Sequence, residues 1–339
     1  MDRGFSDDFT VKTAVAMAVR APSVHNSQPW SWRIGHSSLH LYADQDRRLA
    51  ETDPDGRDLL LSCGAALHHL RVGLAALGWA ADVHRFPNAD EPDHLAAVTV
   101  HQHEPSQDEV AMAAAIPRRR TDRRRLSSWV VPGRHVEAMS RAAALEGTEL
   151  QAAENAARYH LATAIEEASR RHAADPAYRT ELAAWSGRQF APDGVPARNS
   201  PAPDDTPGAL RARAFADPLL TQPAGAKAED DETVLLVLST ASDDRMSRLR
   251  AGEATSAVLL TATAFGLSSC PFTEPLEIAD VRESVTENVT GGSYPQMVLR
   301  IGWAPANTDP LLATSRRALA DVLQPLEAPP KNHFRYQSH

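Results

Sequence analysis

Apolar residues recur at helical spacing over residues 9–20, where Val11, Val15, Ala18 and Val19 share one face. Ala21-Pro22 ends that run, because proline disfavours helix in the residue before it. Residues 30–34 and 39–42 read as two short strands around the turn Gly35-His36-Ser37-Ser38, and an acidic loop covers 44–57. A long Ala/Leu-rich helix over 59–77 stops at Gly78, and strands at 81–86 and 95–101 complete a first unit near Pro105. A helix over 107–116 ends at Pro117, and two more are expected at 135–144 and 152–173. The continuous apolar runs 233–239 and 294–301 suit strands buried on both faces, with a helix over 250–265 between them that Gly266 stops. Residues 318–323 end the ordered chain, and 329–339 read as a tail.

The two long helices share a spacing. Gly64-Ala65-Ala66 begins a stretch that Gly78 closes, Gly252-Glu253-Ala254 begins one that Gly266 closes, and the offset is 188 both from 64 to 252 and from 78 to 266. Each follows a strand and an Asp-rich turn, ending in Arg47 or Arg245, and that pairing leaves ten extra residues in the first copy. The expectation is an α+β chain of two related halves packed as a pseudo-dimer, 1–105 and 106–328, unless two Ala-rich helices coincide by chance. Within the second half, residues 187–231 turn to Pro, Gly, Asp and Ala, and an insertion that long suits a lid.

Composition narrows the function classes. At 339 residues and 42% hydrophobic the chain holds a full core, and no apolar run has the length of a membrane span. The net charge of −9 argues against a nucleic-acid partner, although a local cation cluster can still hold a small anion. Cys63 and Cys270 lie far apart in apolar surroundings, which suits buried free thiols and a cytoplasmic location.

Two dense polar stretches stand out. A-P-S-V-H-N-S-Q-P-W, residues 21–30, puts Ser23, Asn26, Ser27 and Gln28 into a loop after a helix, offering donors and acceptors to a flat heteroaromatic. The same side chains would equally bond their own backbone in a plain turn. R-R-R-T-D-R-R-R, residues 118–125, suits phosphate, since guanidinium forks bind its oxygens in pairs, and Arg119, Thr121 and Arg123 would face one side of an extended segment. A solvated basic run is the alternative. Each half carries only one of the two stretches, so one composite site per chain is the simplest outcome. The histidines make no recognised metal set, and no acid/base pair or nucleophile triad emerges.

With these motifs the chain resembles the flavin-dependent nitroreductase superfamily, and within it the fused Acg-type NAD(P)H nitroreductases of actinobacteria. The resemblance implies that Arg119, Thr121 and Arg123 hold an FMN phosphate, helped by a late basic residue, Arg316 or Arg317. It implies that Pro22, Ser23, Asn26, Gln28, Pro29 and Trp30 line the flavin from the other half. It also implies that Gly266, Leu267, Ser269, Pro271 and Phe272, with Thr273 and Glu274 just beyond, pass the flavin N5 edge. The flavin itself would then carry the chemistry, with no catalytic side chain and no metal, taking electrons from NAD(P)H to a nitroaromatic, quinone or similar small acceptor. Ordinary members are homodimers with two FMN sites, whereas this pattern implies a monomer with one FMN. The 187–231 insertion has no counterpart in the plain fold, and Trp185 and Phe190 are candidates to cap the flavin from it. A closed lid would instead make an FMN-sequestering protein, and loss of the cofactor an interaction partner.

Overall fold

The computed structural model describes residues 8–188, 191–203, 206, 210–211, 213–223, 232–306 and 308–326. Phe190, much of 204–231 and the tail 329–339 lie outside the described residues. In chain order the elements are α1 (Asp8–Ala18), β1 (Trp30–Ile34), β2 (Leu39–Ala43), α2 (Arg57–Ala76), β3 (Trp79–Arg85), β4 (His94–Gln102), α3 (Gln107–Ala115), α4 (Gly133–Leu145), β5 (Glu149–Ala152), α5 (Asn155–Ala174) and α6 (Pro176–Ala184). They continue with β6 (Val234–Thr240), α7 (Arg245–Ala264), β7 (Ser268–Phe272), α8 (Glu274–Glu277), α9 (Ala279–Asn288), β8 (Tyr294–Gly302), α10 (Leu319–Val322) and β9 (Leu323–Pro325).

The fold is α+β, built on two sheets of one topology. The first has the order β3-β4-β2-β1-β9 and the second β7-β8-β6-β5, so the four strands that precede and follow each long helix recur in the same places. All neighbours are antiparallel except β9, which pairs parallel to β1 from Trp32↔Leu323 to Ile34↔Pro325. The last strand of the 106–328 range therefore sits in the sheet of the first half.

Helices α2 and α7 cross in the middle, and the 188 offset is visible in their contact. A Cβ on Gly64 would lie 2.0 Å from the Leu249 carbonyl oxygen, and one on Gly252 would lie 2.1 Å from that of Leu61. Leu61 and Leu249 are themselves 188 apart, so the contact is self-complementary, as at a twofold interface. Ser256 Oγ lies 2.8 Å from Nδ1 of both His68 and His69, and the fully buried Glu253 takes Arg71 and Arg85. Arg57 and Arg245 open the two helices, which corrects the expected match of Arg47 to Arg245. The extra residues of the first copy lie before the arginine, in the longer connection from β2.

The sheets differ in what covers them. In β6, Leu236 and Leu238 join the core formed with α4 and α7, whereas Leu235 and Val237 join a second core formed with α5 and α9. That two-sided burial is why β6 and β8 read as unbroken apolar runs, and the connection 153–233 supplies α5 for the outer face. The corresponding connection in the first sheet is the four-residue turn 35–38, closed by Gly35 N–H donating to the Ser38 carbonyl at 2.8 Å. Strands β5 and β7 were not expected; β5 is short, and Pro271 interrupts the strand pattern of β7, whose pairing with β8 continues through it. One described helix, α2, is long and apolar enough to cross a membrane, and it is the core helix of the fold.

Candidate binding site

The loop after α1 is held in a conformation most side chains avoid. His25, Asn26 and Gln28 have φ of 46°, 54° and 52°, in the left-handed region. Side chains fix it from both ends. Ser23 Oγ accepts from Gln28 N–H at 3.0 Å, and Gln28 Nε2 donates to the carbonyls of Asn26 (3.3 Å) and Pro192 (2.8 Å). Asn26 Nδ2 donates to the carbonyls of Gly194 at 3.1 Å and Ser315 at 3.2 Å. The free carbonyls at the C-terminal end of α1 are taken by Arg316, which donates to Val19, Arg20 and Ala21 at 2.9, 3.1 and 3.2 Å.

Residues 118–125 run beside β7. Thr121 bridges to Ser269 in parallel, and Asp122 N–H donates to the Ser269 carbonyl at 2.9 Å. The expected alternation is broken by Arg120, which lines the same compartment as its two neighbours. Arg119, Thr121 and Arg123 face a cavity wall, while Arg124 turns back to Asp122 at 2.9 Å and Arg118 lies exposed, bonded to the Ala114 carbonyl.

The two segments meet at two adjoining compartments that share Pro22, Ser23, Thr121 and Arg123. One, about 650 Å³, is lined by five arginines, Arg20, Arg119, Arg120, Arg123 and Arg316, with Asn26 and Asn199 and, among the described residues, no carboxylate. Arg119 is 6% exposed, and its Nε and Nη1 have no hydrogen-bond partner. Burial, then Arg120, Arg20 and Arg123, hold its pKa down at about 10; burial and Arg119 hold Arg316 at about 9. Both stay charged at neutral pH, so the walls of this compartment carry concentrated positive charge.

The other compartment, about 820 Å³, is mostly apolar, with Leu61, Ala65, Phe272 and Met297 in its walls. Pro271, Thr273 and Glu274 form one side, and the buried thiol of Cys270 lies beside them; both cysteines are free. The connection 153–233 supplies a roof of Arg213 and Phe215. Arg213 bonds to Glu277, to the Tyr178 hydroxyl and to Thr273 Oγ1 (3.1 Å), and it lies 3.3 Å from His25 Nε2. Phe215 meets the His25 ring edge-on at 5.7 Å and packs under Arg123, 4.8 Å from ring centre to guanidinium. Burial and the charges of Arg213 and Arg123 push His25 well below the usual histidine range, so it is neutral at pH 7.

Of the residues expected here, Pro22, Ser23, Asn26, Arg119, Thr121, Arg123, Pro271, Thr273, Glu274 and Arg316 line the compartments. Gln28, Trp30 and Arg317 do not. Gln28 is fully buried, and its amide is used up by backbone and by Arg317 N–H at 2.9 Å. Arg317 extends to the Gln28 and Trp30 carbonyls and Asp44, and Trp30 belongs to the first core. These three support the loop from behind. Trp185 ends α6 and packs beneath Arg47 and Arg188, off the compartment walls. His25, Asp58, Arg213 and Phe215 were not singled out beforehand. Only His25 carried a signal, being inside the loop motif; Asp58 read as an ordinary first-turn acid, and Arg213 and Phe215 sit in a stretch without periodicity.

No family model matches the chain. It is 51% identical over 325 residues, 96% of this chain and 94% of the other, to the Mycobacterium tuberculosis protein named "Putative NAD(P)H nitroreductase Rv3131". It is 36% identical to the "Putative NAD(P)H nitroreductase acg" of the same organism, over 92% of this chain and 94% of the other. Two solved structures overlap it: a nitroreductase with bound FMN from Bacteroides fragilis, at 15% identity, covering 61% of this chain and 95% of that one, TM-score 0.39, and a nitroreductase-named protein from Anabaena variabilis, at 8% identity, 88% and 90% coverage, TM-score 0.47. Half of all positions being shared with the first of these relatives, along nearly the whole of both chains, the chain belongs to the family of NAD(P)H nitroreductases that they represent.

Proposed function

We propose that this chain binds one FMN and passes electrons from NADH or NADPH to a nitroaromatic, quinone or similar small acceptor. The observation that carries the reading is Arg119, buried and charged, with two donors unpartnered among the described residues, in a compartment of arginines to which those residues bring no carboxylate. A phosphate there would satisfy those donors and relieve the mutual repulsion of the five guanidiniums, with the Thr121 hydroxyl as a further donor. The adjoining apolar compartment suits a flat ring system, which Leu61, Ala65 and Met297 would shield from water. When bound, the flavin supplies hydride acceptance and return at its N5. The residues of this chain bind, orient and exclude water.

One site per chain follows from the division of labour, with 21–30 in the half 1–105 and 118–125 in the half 106–328, and with 187–231 as the lid. The expected species is a monomer whose halves pack as a pseudo-dimer. Flavin released on denaturation should amount to about one FMN per chain; two per chain, or FAD in its place, would overturn the composite site.

A second reading, in which the protein sequesters FMN, is favoured by the roof that Arg213 fixes to Glu277, Tyr178 and Thr273. Anaerobic mixing separates the two. Bleaching of the flavin band by NADH or NADPH supports the reductase, and bleaching by dithionite alone supports sequestration.

A further inference from the structure

Asp58 occupies the first turn of α2, 2% exposed, on the wall of the ring compartment. An acid there normally serves the helix terminus, but Asp53 already accepts the Leu59 N–H at 2.8 Å. Nor is Asp58 a well-made ion pair. Arg57 Nη1 stands 3.8 Å away, and the guanidinium directs its hydrogen bonds to Leu276, Pro295 and Gln296. Among the described residues, neither carboxyl oxygen of Asp58 has a hydrogen-bond partner. Glu274, on the same wall, also has an unpartnered oxygen, and the buried Glu277 lies just beyond it.

The charged and titratable groups around Asp58 are Asp53 from the loop before α2, Arg57 from its own helix, Glu277 from α8 and Arg213 from the roof, with Glu274, His25 and Arg123 on the walls of the same compartment and His172 of α5 against Glu274 and Glu277. Asp53, Asp58, Glu274 and Glu277 thus stand against the guanidiniums of Arg57, Arg213 and Arg123, with His172 3.4 Å from Glu274 and 3.8 Å from Glu277 and with a neutral His25. Four carboxyls against three guanidiniums in a buried space favour a proton on one of them. Among the described residues no cluster of three or more His, Cys, Asp or Glu has the geometry to hold a metal ion.

We propose that Asp58 is a recognition group of the ring compartment that works as a neutral carboxylic acid, donating its proton in a hydrogen bond to a carbonyl oxygen or ring nitrogen of the flat heteroaromatic held there. This rests on the FMN reading. Burial first, then Asp53 and Glu277, raise the Asp58 carboxyl to about 8, so it holds its proton at neutral pH. While Asp58 keeps its proton the donor is present; as pH rises through its raised pKa the proton leaves, an anion faces an acceptor atom, and affinity falls.

The test is a fluorescence titration of the flavin-stripped full chain with FMN at pH 7 and pH 9, for wild type and Asp58→Asn, whose amide keeps a donor and cannot ionise. Wild type should lose about tenfold in affinity across that range, and Asp58→Asn should bind like wild type at pH 7 and change far less at pH 9. The phosphate is ionised at both pH values, with a second pKa of about 6. Titration of Arg119 or Arg316 is common to both proteins, so the difference between the profiles reports Asp58. Parallel melting curves of the two stripped proteins confirm equal folding at each pH. Identical pH profiles for the two proteins overturn the inference while leaving the FMN reading intact. Absence of FMN binding by wild type at either pH overturns that reading and this inference with it.

Discussion

A buried charge destabilises a fold unless something pairs with it, and Arg119 holds two donors unpaired among four other guanidiniums. A side chain kept for stability would not be kept in that state. Arg119→Leu should therefore weaken FMN binding by about ten- to a hundredfold, the worth of a charge-assisted hydrogen bond, while raising the melting temperature of the flavin-free chain by about 2–4 °C. Arg118→Leu, at the exposed neighbouring position, should change neither. Loss of affinity together with a lower melting temperature would mean that Arg119 is structural. That Arg119, Thr121 and Arg123 share a wall was legible because an extended segment turns every second residue the same way, whereas Arg120, which joins them there, departs from that pattern. Asp58 and Arg213 were not, since their roles depend on neighbours from α8 and the roof that no local pattern announces. Arg317 misled for the converse reason, its basic character being spent on carbonyls behind the loop.

At the scale of elements, α2 and α7 approach so closely that backbone touches backbone. Adding a methyl at Gly64 or Gly252 would drive it to within about 2 Å of a carbonyl oxygen that cannot move aside, as the Cβ positions show. Gly64→Ala and Gly252→Ala should each cost about 3 kcal/mol or more, read as a lower urea midpoint or loss of soluble protein. A change under about 1 kcal/mol in both would mean that the helices can slide apart. This crossing was readable in the sequence through the shared offset of the glycines and their stopping residues. The strands beside it were only partly so: β6 and β8 declare themselves as apolar runs, whereas β5, β7 and β9 are held by partners distant in the chain.

For the whole molecule, the connection 153–233 does two jobs, covering the outer face of the second sheet with α5 and roofing the ring compartment with Arg213 and Phe215. The unusual composition of its later part, 187–231, was visible beforehand, but which of its side chains reach the site was not. Phe215→Ala should open the roof without disturbing the arginine compartment, speeding both FMN release and reduction by NADH or NADPH in stopped-flow traces. Unchanged rates in both would show that Phe215 does not gate the ring. The contrast between this connection and the turn 35–38 has a consequence of its own. Two identical subunits from one gene receive every mutation in duplicate, so an excursion that closes one cleft closes its mirror image. Here the matching connections lie at different positions of one polypeptide, so a mutation in one leaves the other unchanged. One is a tight reversal while the other carries an outer layer, and specialisation of a single cleft does not oblige its counterpart to follow.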